Sequence, residues 1–343
     1  MTLLALAPNW LGDAVMALPA MADLRQYSAQ QRFVVAARPS VAPLFELVPG
    51  IDAVVTLAGG SSGRGALAND VQRTREVGAT TAVLFPNSIR SALTVLRARV
   101  PNRWGYSRDF RRLLLTRGVA RARGVLHQVD AYRHLVAALG AENGPREPRV
   151  EVPARVIEDA RLALRERGWD GSSRLVGFAP GAAFGGAKRW PGPRVADLIA
   201  RATGECGVSC VVVGGAADVP TTCAIVAEAG KIGPSARAGS VIDLAGQTTL
   251  VQLAGVLAAC SAFVSNDSGA MHLAAAVGTP VVAVFGPTDE RATAPVPRAS
   301  GSVTVIAGTA WCRPCGLREC PIDHRCMTSI SVDRVLNALG DYL

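Results

Sequence analysis

Short apolar runs alternate with segments of helical periodicity along nearly the whole chain. Residues 3–7, 33–37, 53–57 and 82–85 are runs built mainly of Leu, Val, Ala and Phe. That pattern predicts strands buried on both faces. Residues 14–25, 41–48, 67–77, 88–98 and 128–139 space their apolar side chains by three and four and read as helices, with a Gly/Ser loop at 58–65. A polar, Pro-containing break at 144–153 and a helix at 154–167 precede a second series. Its strands are expected at 175–179, 208–213, 241–244, 262–265 and 281–285, and its helices at 194–204, 221–229, 249–259 and 271–277. Strands alternating with helices predict parallel sheets covered on both faces. The expectation is therefore an α/β protein of two Rossmann-like, doubly wound domains, residues 1–160 and 172–343. Ligands of open parallel sheets bind beyond the carboxyl ends of the strands. The loops after Ala7, Ala179, Val213 and Ser265 are where chemistry is expected.

Composition narrows this. A length of 343 residues suits two domains. With 49% hydrophobic and 18% charged residues the chain is not disordered, and 35 Gly and 21 Pro exclude a coiled coil. The longest apolar stretch, 273–285, is broken by Gly278 and Pro280, and it is well short of the roughly 20 residues of a spanning helix. No basic residue precedes Arg25, and Asp13 interrupts the apolar N-terminus, which argues against a secretory signal. A cytoplasmic protein is expected, with contact to a membrane surface left open. Eight Cys are too few for a disulfide scaffold.

The net charge of +9 is uneven. Residues 1–170 hold 23 Arg, no Lys and 15 acidic residues, an excess of +8, whereas residues 171–343 carry +1. Residues 97–123 alone hold nine Arg, including Arg103, Arg108, Arg111 and Arg112, against Asp109. Either this is a solvated surface of a chain that uses 34 Arg and only Lys188 and Lys231, or it is a face for an anionic partner. Only Trp104, Tyr106 and Phe110 are interleaved, too few to favour nucleic-acid stacking.

Four segments carry candidate chemistry. In Asn9-Trp10-Leu11-Gly12-Asp13, Gly12 permits a tight turn and Asp13 opens a helix. There it is either a helix N-cap or a carboxylate placed to accept a proton, and the positive helix end favours its ionised form in both cases. Residues 180–191 place Gly181, Gly185 and Gly186 before Lys188-Arg189. No Ser or Thr follows the lysine, so this is not a nucleotide-binding P-loop, and the choice lies between an exposed basic loop and a cation set against a diphosphate. Asn266-Asp267-Ser268-Gly269, with His272 one turn on, offers backbone amides at a helix start, a ready anion site. His272 is either packed structure or a ligand contact. Finally Cys312, Cys315, Cys320 and Cys326 surround His324 at spacings that match no common metal template. They read as packed or redox-active thiols, as a structural zinc or iron–sulfur site, or as disulfides. No Asp-x-Asp occurs, and nothing points to a catalytic metal.

Together the Asn9–Asp13 segment, the run from Pro180-Gly181 to Lys188-Arg189-Trp190-Pro191, and Asn266-Asp267-Ser268-Gly269 with His272, followed by Gly286-Pro287-Thr288, resemble glycosyltransferase family 9. Within it they most resemble the type II ADP-heptose:lipopolysaccharide heptosyltransferases. The Cys320-Pro321 and His324-Arg325-Cys326 segment resembles one seen in many type II members. The resemblance implies a GT-B fold and inverting, metal-independent transfer with no required cofactor. It implies ADP-heptose as donor, bound by the C-terminal domain through Gly181, Lys188, Arg189, Asn266, Asp267, Ser268, Gly269 and His272. It implies the inner-core heptose of lipopolysaccharide as acceptor, bound by the N-terminal domain, and Asp13 as catalytic base. Asn9, Trp10, Gly12 and the four arginines named above would face that acidic acceptor, at the inner face of the membrane, and no nucleic acid is implied. Type I members carry paired hydroxyls where this chain has Ala183 and Phe184, which favours type II. Another nucleotide sugar, a non-lipopolysaccharide acceptor, or nucleotide-sugar binding without catalysis fits the same residues.

Overall fold

Every strand in the computed structural model runs parallel to its neighbours, as continuous apolar runs require. The structure describes residues 1–58, 64–107, 110–142, 144–232 and 241–343. These fall into two units, Met1–Glu151 and Val152–Leu343. The expected loop at 58–65 and Arg108 lie largely or wholly outside the described residues.

The first unit orders its six described strands β3-β2-β1-β4-β5-β6. They are β1 (Thr2–Leu6), β2 (Arg32–Ala37), β3 (Ala53–Thr56), β4 (Thr81–Leu84), β5 (Asn102–Tyr106) and β6 (Arg117–Val119). The order reverses between β1 and β4, where the connections to either side leave a crevice. The helices are α1 (Leu11–Met16), α2 (Leu18–Tyr27), α3 (Arg64–Glu76), α4 (Ile89–Arg97) and α5 (Gln128–Ala137). The helix expected at 14–25 is two helices. Pro19 stands in the first turn of α2, where its missing N–H costs nothing but breaks continuity with α1. The helix expected at 41–48 is a short 3₁₀ turn, Ala42–Leu47, around Pro43. β5 and β6 lie in the Arg-rich stretch and were not expected. Their sequences, NRWGY and RGV, lack an apolar run, and they form because they extend the edge of a sheet whose inner strands are already set.

The second unit repeats the order as β12-β11-β10-β7-β8-β9. The strands are β7 (Leu175–Ala179), β8 (Ser209–Val212), β9 (Val241–Asp243), β10 (Ala262–Asn266), β11 (Val281–Phe285) and β12 (Val303–Ala307). Its helices are α6 (Ala154–Arg165), α7 (Gly192–Glu205), α8 (Val219–Ile232), α9 (Leu250–Ala259), α10 (Gly269–Val277), α11 (Glu290–Thr293), α12 (Arg325–Thr328) and α13 (Val332–Gly340). α6, which the sequence reading split across the end of the first domain, packs on α9 of this unit. Gly255 makes that possible, because a Cβ there would sit 2.7 Å from the Val156 carbonyl oxygen. β12 and α13 were missed at the sequence level. Both pack on the core formed by Phe178, Val264, Val284 and Met327, where Ile306, Val335 and Leu339 are buried. No described helix is long and apolar enough to cross a membrane.

Candidate functional site

The turn from β10 into α10 brings most of the expected donor residues together. The Asn266 side chain closes the loop after β7 onto the end of β10. Its amide donates to the Pro180 carbonyl at 2.6 Å, and its oxygen accepts the Trp190 N–H at 3.2 Å. Asp267 is 5% exposed and accepts from Lys188 Nζ at 2.6 Å and from the Thr288 hydroxyl at 2.6 Å on the same oxygen. A buried charge needs such partners, and here three separate loops supply the group and its answers. Ser268 is the N-cap of α10 in extended conformation, but its side chain does not cap the helix. Its hydroxyl pairs with Ser265 at 3.0 Å instead. The first-turn amides of α10, beginning at Gly269, therefore lack a side-chain cap. His272 is buried on the same helix.

The loop carrying Lys188 is shaped by contacts absent from the sequence reading. Arg189 lies 3.6 Å from Asp218, which also accepts the Gly215 N–H at 3.0 Å. The buried Arg189 Nε has no acceptor among the described residues. A Cβ at Gly181 would run into the Asp218 carboxylate, so any larger residue there would have to displace that side chain. Phe184 lies under both Lys188 and Arg318, with the cations 4.9 and 5.1 Å from the ring centre. Arg313 is a further positioning residue that sequence reasoning missed. It donates to the carbonyls of Gly286, Gly308 and Thr288 and pairs with Glu290 at 2.7 Å, which fixes the loop that presents Thr288. The only sequence signal was the Gly286-Pro287-Thr288 turn it holds.

The cysteine segment packs over these loops. The Arg318 carbonyl accepts the Ala187 N–H at 2.9 Å, the Glu319 carboxylate accepts the Gly186 N–H at 2.9 Å, and the His324 ring bonds the Ala187 carbonyl at 2.6 Å. The Gly316 N–H donates to Pro287 at 2.8 Å. Cys312, Cys315, Cys320 and Cys326 line one cavity of about 310 Å³ beside His324 and are all unpaired thiols. Burial pushes the Cys326 thiol up, and the neighbouring Cys312, Cys315 and Cys320 add to it. No group of three or more His, Cys, Asp or Glu among the described residues is arranged to hold a metal ion, so the zinc or iron–sulfur expectation finds no support.

In the first unit the loop after β1 holds Asn9 and Trp10, while Gly12 and Asp13 lie in the first turn of α1, so Gly12 is helical rather than part of a tight turn. The N-cap of α1 is Trp10, so Asp13 stands in the first turn rather than at the cap. The alternative of Asp13 as a plain N-cap falls away, while the helix-end field on its carboxylate remains. Asp13 faces the buried Tyr132, whose hydroxyl is held well above its ordinary range by burial and by the Asp13 charge. Trp10 is exposed and Asn9 half-buried.

The arginines divide. Arg103 donates to the carbonyls of Leu114, Val100 and Pro101 at 2.7 to 3.0 Å. Arg111 is fully buried and donates to the Pro86 carbonyl. These two tie the end of the sheet to its loops, which leaves them little to offer an acceptor. Arg112 stays exposed. The structure gathers Arg38 and Arg90 at the strand ends instead, and neither was singled out from the sequence. Arg38 follows an apolar strand and Arg90 opens an amphipathic helix, so neither belonged to a run of charge.

Two doubly wound parallel sheets, the second carrying a lysine, a helix start and small residues at its point of reversed order, give the two-domain α/β architecture of the GT-B heptosyltransferases. Residues 69–325 match the family described as Glycosyltransferase family 9 (heptosyltransferase). The chain is 30% identical to lipooligosaccharide heptosyltransferase 2 of Haemophilus ducreyi, over all of this chain and 99% of that one. The structure of E. coli ADP-heptose lps heptosyltransferase II matches with a TM-score of 0.80 at 27% identity, covering 100% of this chain and 98% of the other. A glycosyl transferase family 9 structure from Veillonella parvula matches with a TM-score of 0.83 at 21% identity, covering 99% and 97%. The chain belongs to glycosyltransferase family 9.

Proposed function

We propose that this protein transfers heptose from ADP-heptose to the inner-core heptose of a lipopolysaccharide acceptor, with inversion at the anomeric carbon. One observation carries the reading. Lys188, Asp267 and Thr288, drawn from three loops, are fixed beside the uncapped start of α10. A cation and helix amides held rigidly in this way suit the charge that grows on a departing diphosphate. The full-length likeness to heptosyltransferase 2 of Haemophilus ducreyi supports the donor and the acceptor. The second unit takes the donor through Gly181, Lys188, Arg189, Asn266, Asp267, Ser268, Gly269 and His272.

The first unit takes the acceptor. Asp13 accepts the proton of the acceptor hydroxyl as that oxygen bonds to the heptose C1 and the C1–O bond to ADP breaks. Proton transfer is late, when the attacking oxygen has become acidic enough for an ionised carboxylate to serve as base. Asn9, Trp10 and Gly12 border it. In this reading Asp267, already engaged by Lys188 and Thr288, orients the lysine rather than holding a divalent cation, and chelators leave turnover unchanged. The protein works on the cytoplasmic side of the membrane that carries its acceptor. There Phe110 and Leu113, exposed beside Arg112, are placed to touch the lipid surface.

Incubation with ADP-heptose and a truncated core acceptor, read by mass, tests this. A gain of one heptose is expected. Transfer from a different nucleotide sugar, or binding of ADP-heptose with no gain in mass, would overturn it. A thermal-shift screen adds a check on the donor, since the true donor stabilises by an amount that rises with the logarithm of its concentration over its Kd.

A further inference from the structure

An open pocket lies at the carboxyl ends of β1, β2 and β4 in the first unit. The position is the point of reversed strand order, where small-molecule sites form in open parallel sheets. Its inner wall is apolar, with Leu6, Ala36 and Leu57. Its rim is polar, with Asn9, Arg38, Ser88 and Arg90.

The charges on the rim are not equally answered. Asp70, buried at the base, accepts from Arg90 at 2.9 Å and from the Ala58 N–H at 2.6 Å, so Arg90 and Asp70 neutralise each other. Arg38 is half-buried at the end of β2, and its guanidinium has no hydrogen-bond or ion-pair partner among the described residues. The Asn9 side-chain amide likewise has no partner among the described residues. One arginine charge and one amide therefore remain for a ligand, above an apolar wall that fits the face of a sugar ring. A guanidinium offers two parallel N–H groups, which match a carboxylate.

We propose that Arg38, with Asn9 beside it, binds a sugar carboxylate of the acceptor in this pocket. The inference rests on the reading above that the acceptor is an acidic core saccharide, and it moves recognition of that acidity from the Arg-rich run to the end of β2. Arg38 acts on the acceptor alone and takes no part in the chemistry at Asp13.

Calorimetry with an acidic core oligosaccharide, and with the same oligosaccharide carboxyl-reduced to alcohols, tests it without requiring turnover. For the full chain the acidic form should bind tighter. Arg38→Ala should weaken it by about 10-fold or more, the worth of a lost charge-assisted pair. Arg38→Lys should recover part of the loss, and the carboxyl-reduced form should bind Arg38→Ala and the parent alike. Unchanged affinity of the acidic form in Arg38→Ala, with an unchanged melting temperature, would overturn the proposal. So would an equal loss for both oligosaccharides. A transfer assay run alongside separates the two readings. Heptose gain with normal binding by Arg38→Ala would sink only the carboxylate site. Carboxylate-dependent binding without heptose gain would sink the transfer reading and keep the site.

Discussion

The two units share one strand order, and their strand ends are built in opposite ways. At the end of β10 the buried carboxylate has its answer within the protein: Asp267 holds Lys188 and Thr288, and Asn266 stitches the loop after β7 in place, while the Arg189 Nε and the first amides of α10 stay open toward a ligand. At the ends of β1 and β2 polar groups are left open. Arg38 and the Asn9 amide lack partners among the described residues, and the buried Asn87 oxygen after β4 has none either. A network closed before the ligand arrives is preorganised for charge that appears during reaction. Groups left open are satisfied only by the ligand, and so they serve recognition. On the proposed reading the same fold carries a rigid leaving-group site on one sheet and a reading surface on the other.

The largest effect expected of any substitution breaks this comparison at its reactive point. Asp13→Ala should lower kcat by roughly 10² to 10⁴, the usual share of a general base. ADP-heptose binding by thermal shift should stay normal, because that binding belongs to the other unit. Steady-state kinetics near the parent values would remove Asp13 from the mechanism.

Next comes the closed network. Lys188→Met leaves Asp267 buried with Thr288 alone, and an uncompensated buried charge costs about 3–5 kcal/mol. Chemical denaturation should show that loss together with a raised donor KM. The double substitution Lys188→Met with Asp267→Asn should recover much of the stability and none of the donor affinity. If both recover together, Lys188 serves only to neutralise Asp267.

Much of this contrast was legible in the chain. Apolar runs located the central strands because residues such as Leu4, Val83, Val211 and Val282 are buried on both faces of their sheets. The Asn266–Gly269 turn stood out because small residues follow a strand. The rest depended on partners far away in sequence. Arg103, Arg111 and Arg38 look alike in a charge count. Only the folded chain gives the first two to backbone carbonyls and leaves the third open. β5 is held by β4 and β6 by β5, pairings that no local window contains. Arg313 acts on carbonyls more than twenty residues away, apart from Gly308.

The cysteine segment extends the comparison, since it braces the loops of the second unit. Burial and its thiol neighbours raise the Cys326 pKa, so at about pH 8, near the ordinary thiol value, Cys326 stays protonated, and it is buried where Cys315 is exposed to reagent. Iodoacetamide with mass mapping should label Cys315 first, and Cys326 only as the pH climbs further or the chain unfolds. Equal rates at both would show that the segment does not hold Ala187 and Pro287 as described.

The smallest effect on stability should come from the feature most particular to the first unit. Phe110 is 96% and Leu113 92% exposed, on a turn whose base is fixed by buried Arg111. Side chains this exposed contribute nothing to a core, so replacing both with Ser should change stability by no more than about 0.5 kcal/mol. Burial in a lipid surface would be worth about 2 kcal/mol for each, and Arg112 between them would add an attraction that only anionic lipid supplies. Flotation with phosphatidylcholine vesicles, with and without phosphatidylglycerol, separates these contributions. The double Ser variant should bind weakly to both kinds of vesicle, and Arg112→Ala should lose only the preference for phosphatidylglycerol. If the double variant floats like the parent, or if the parent is a dimer that this variant dissolves, the turn meets protein rather than lipid. The open end of the first unit would then be a reading surface for the saccharide alone.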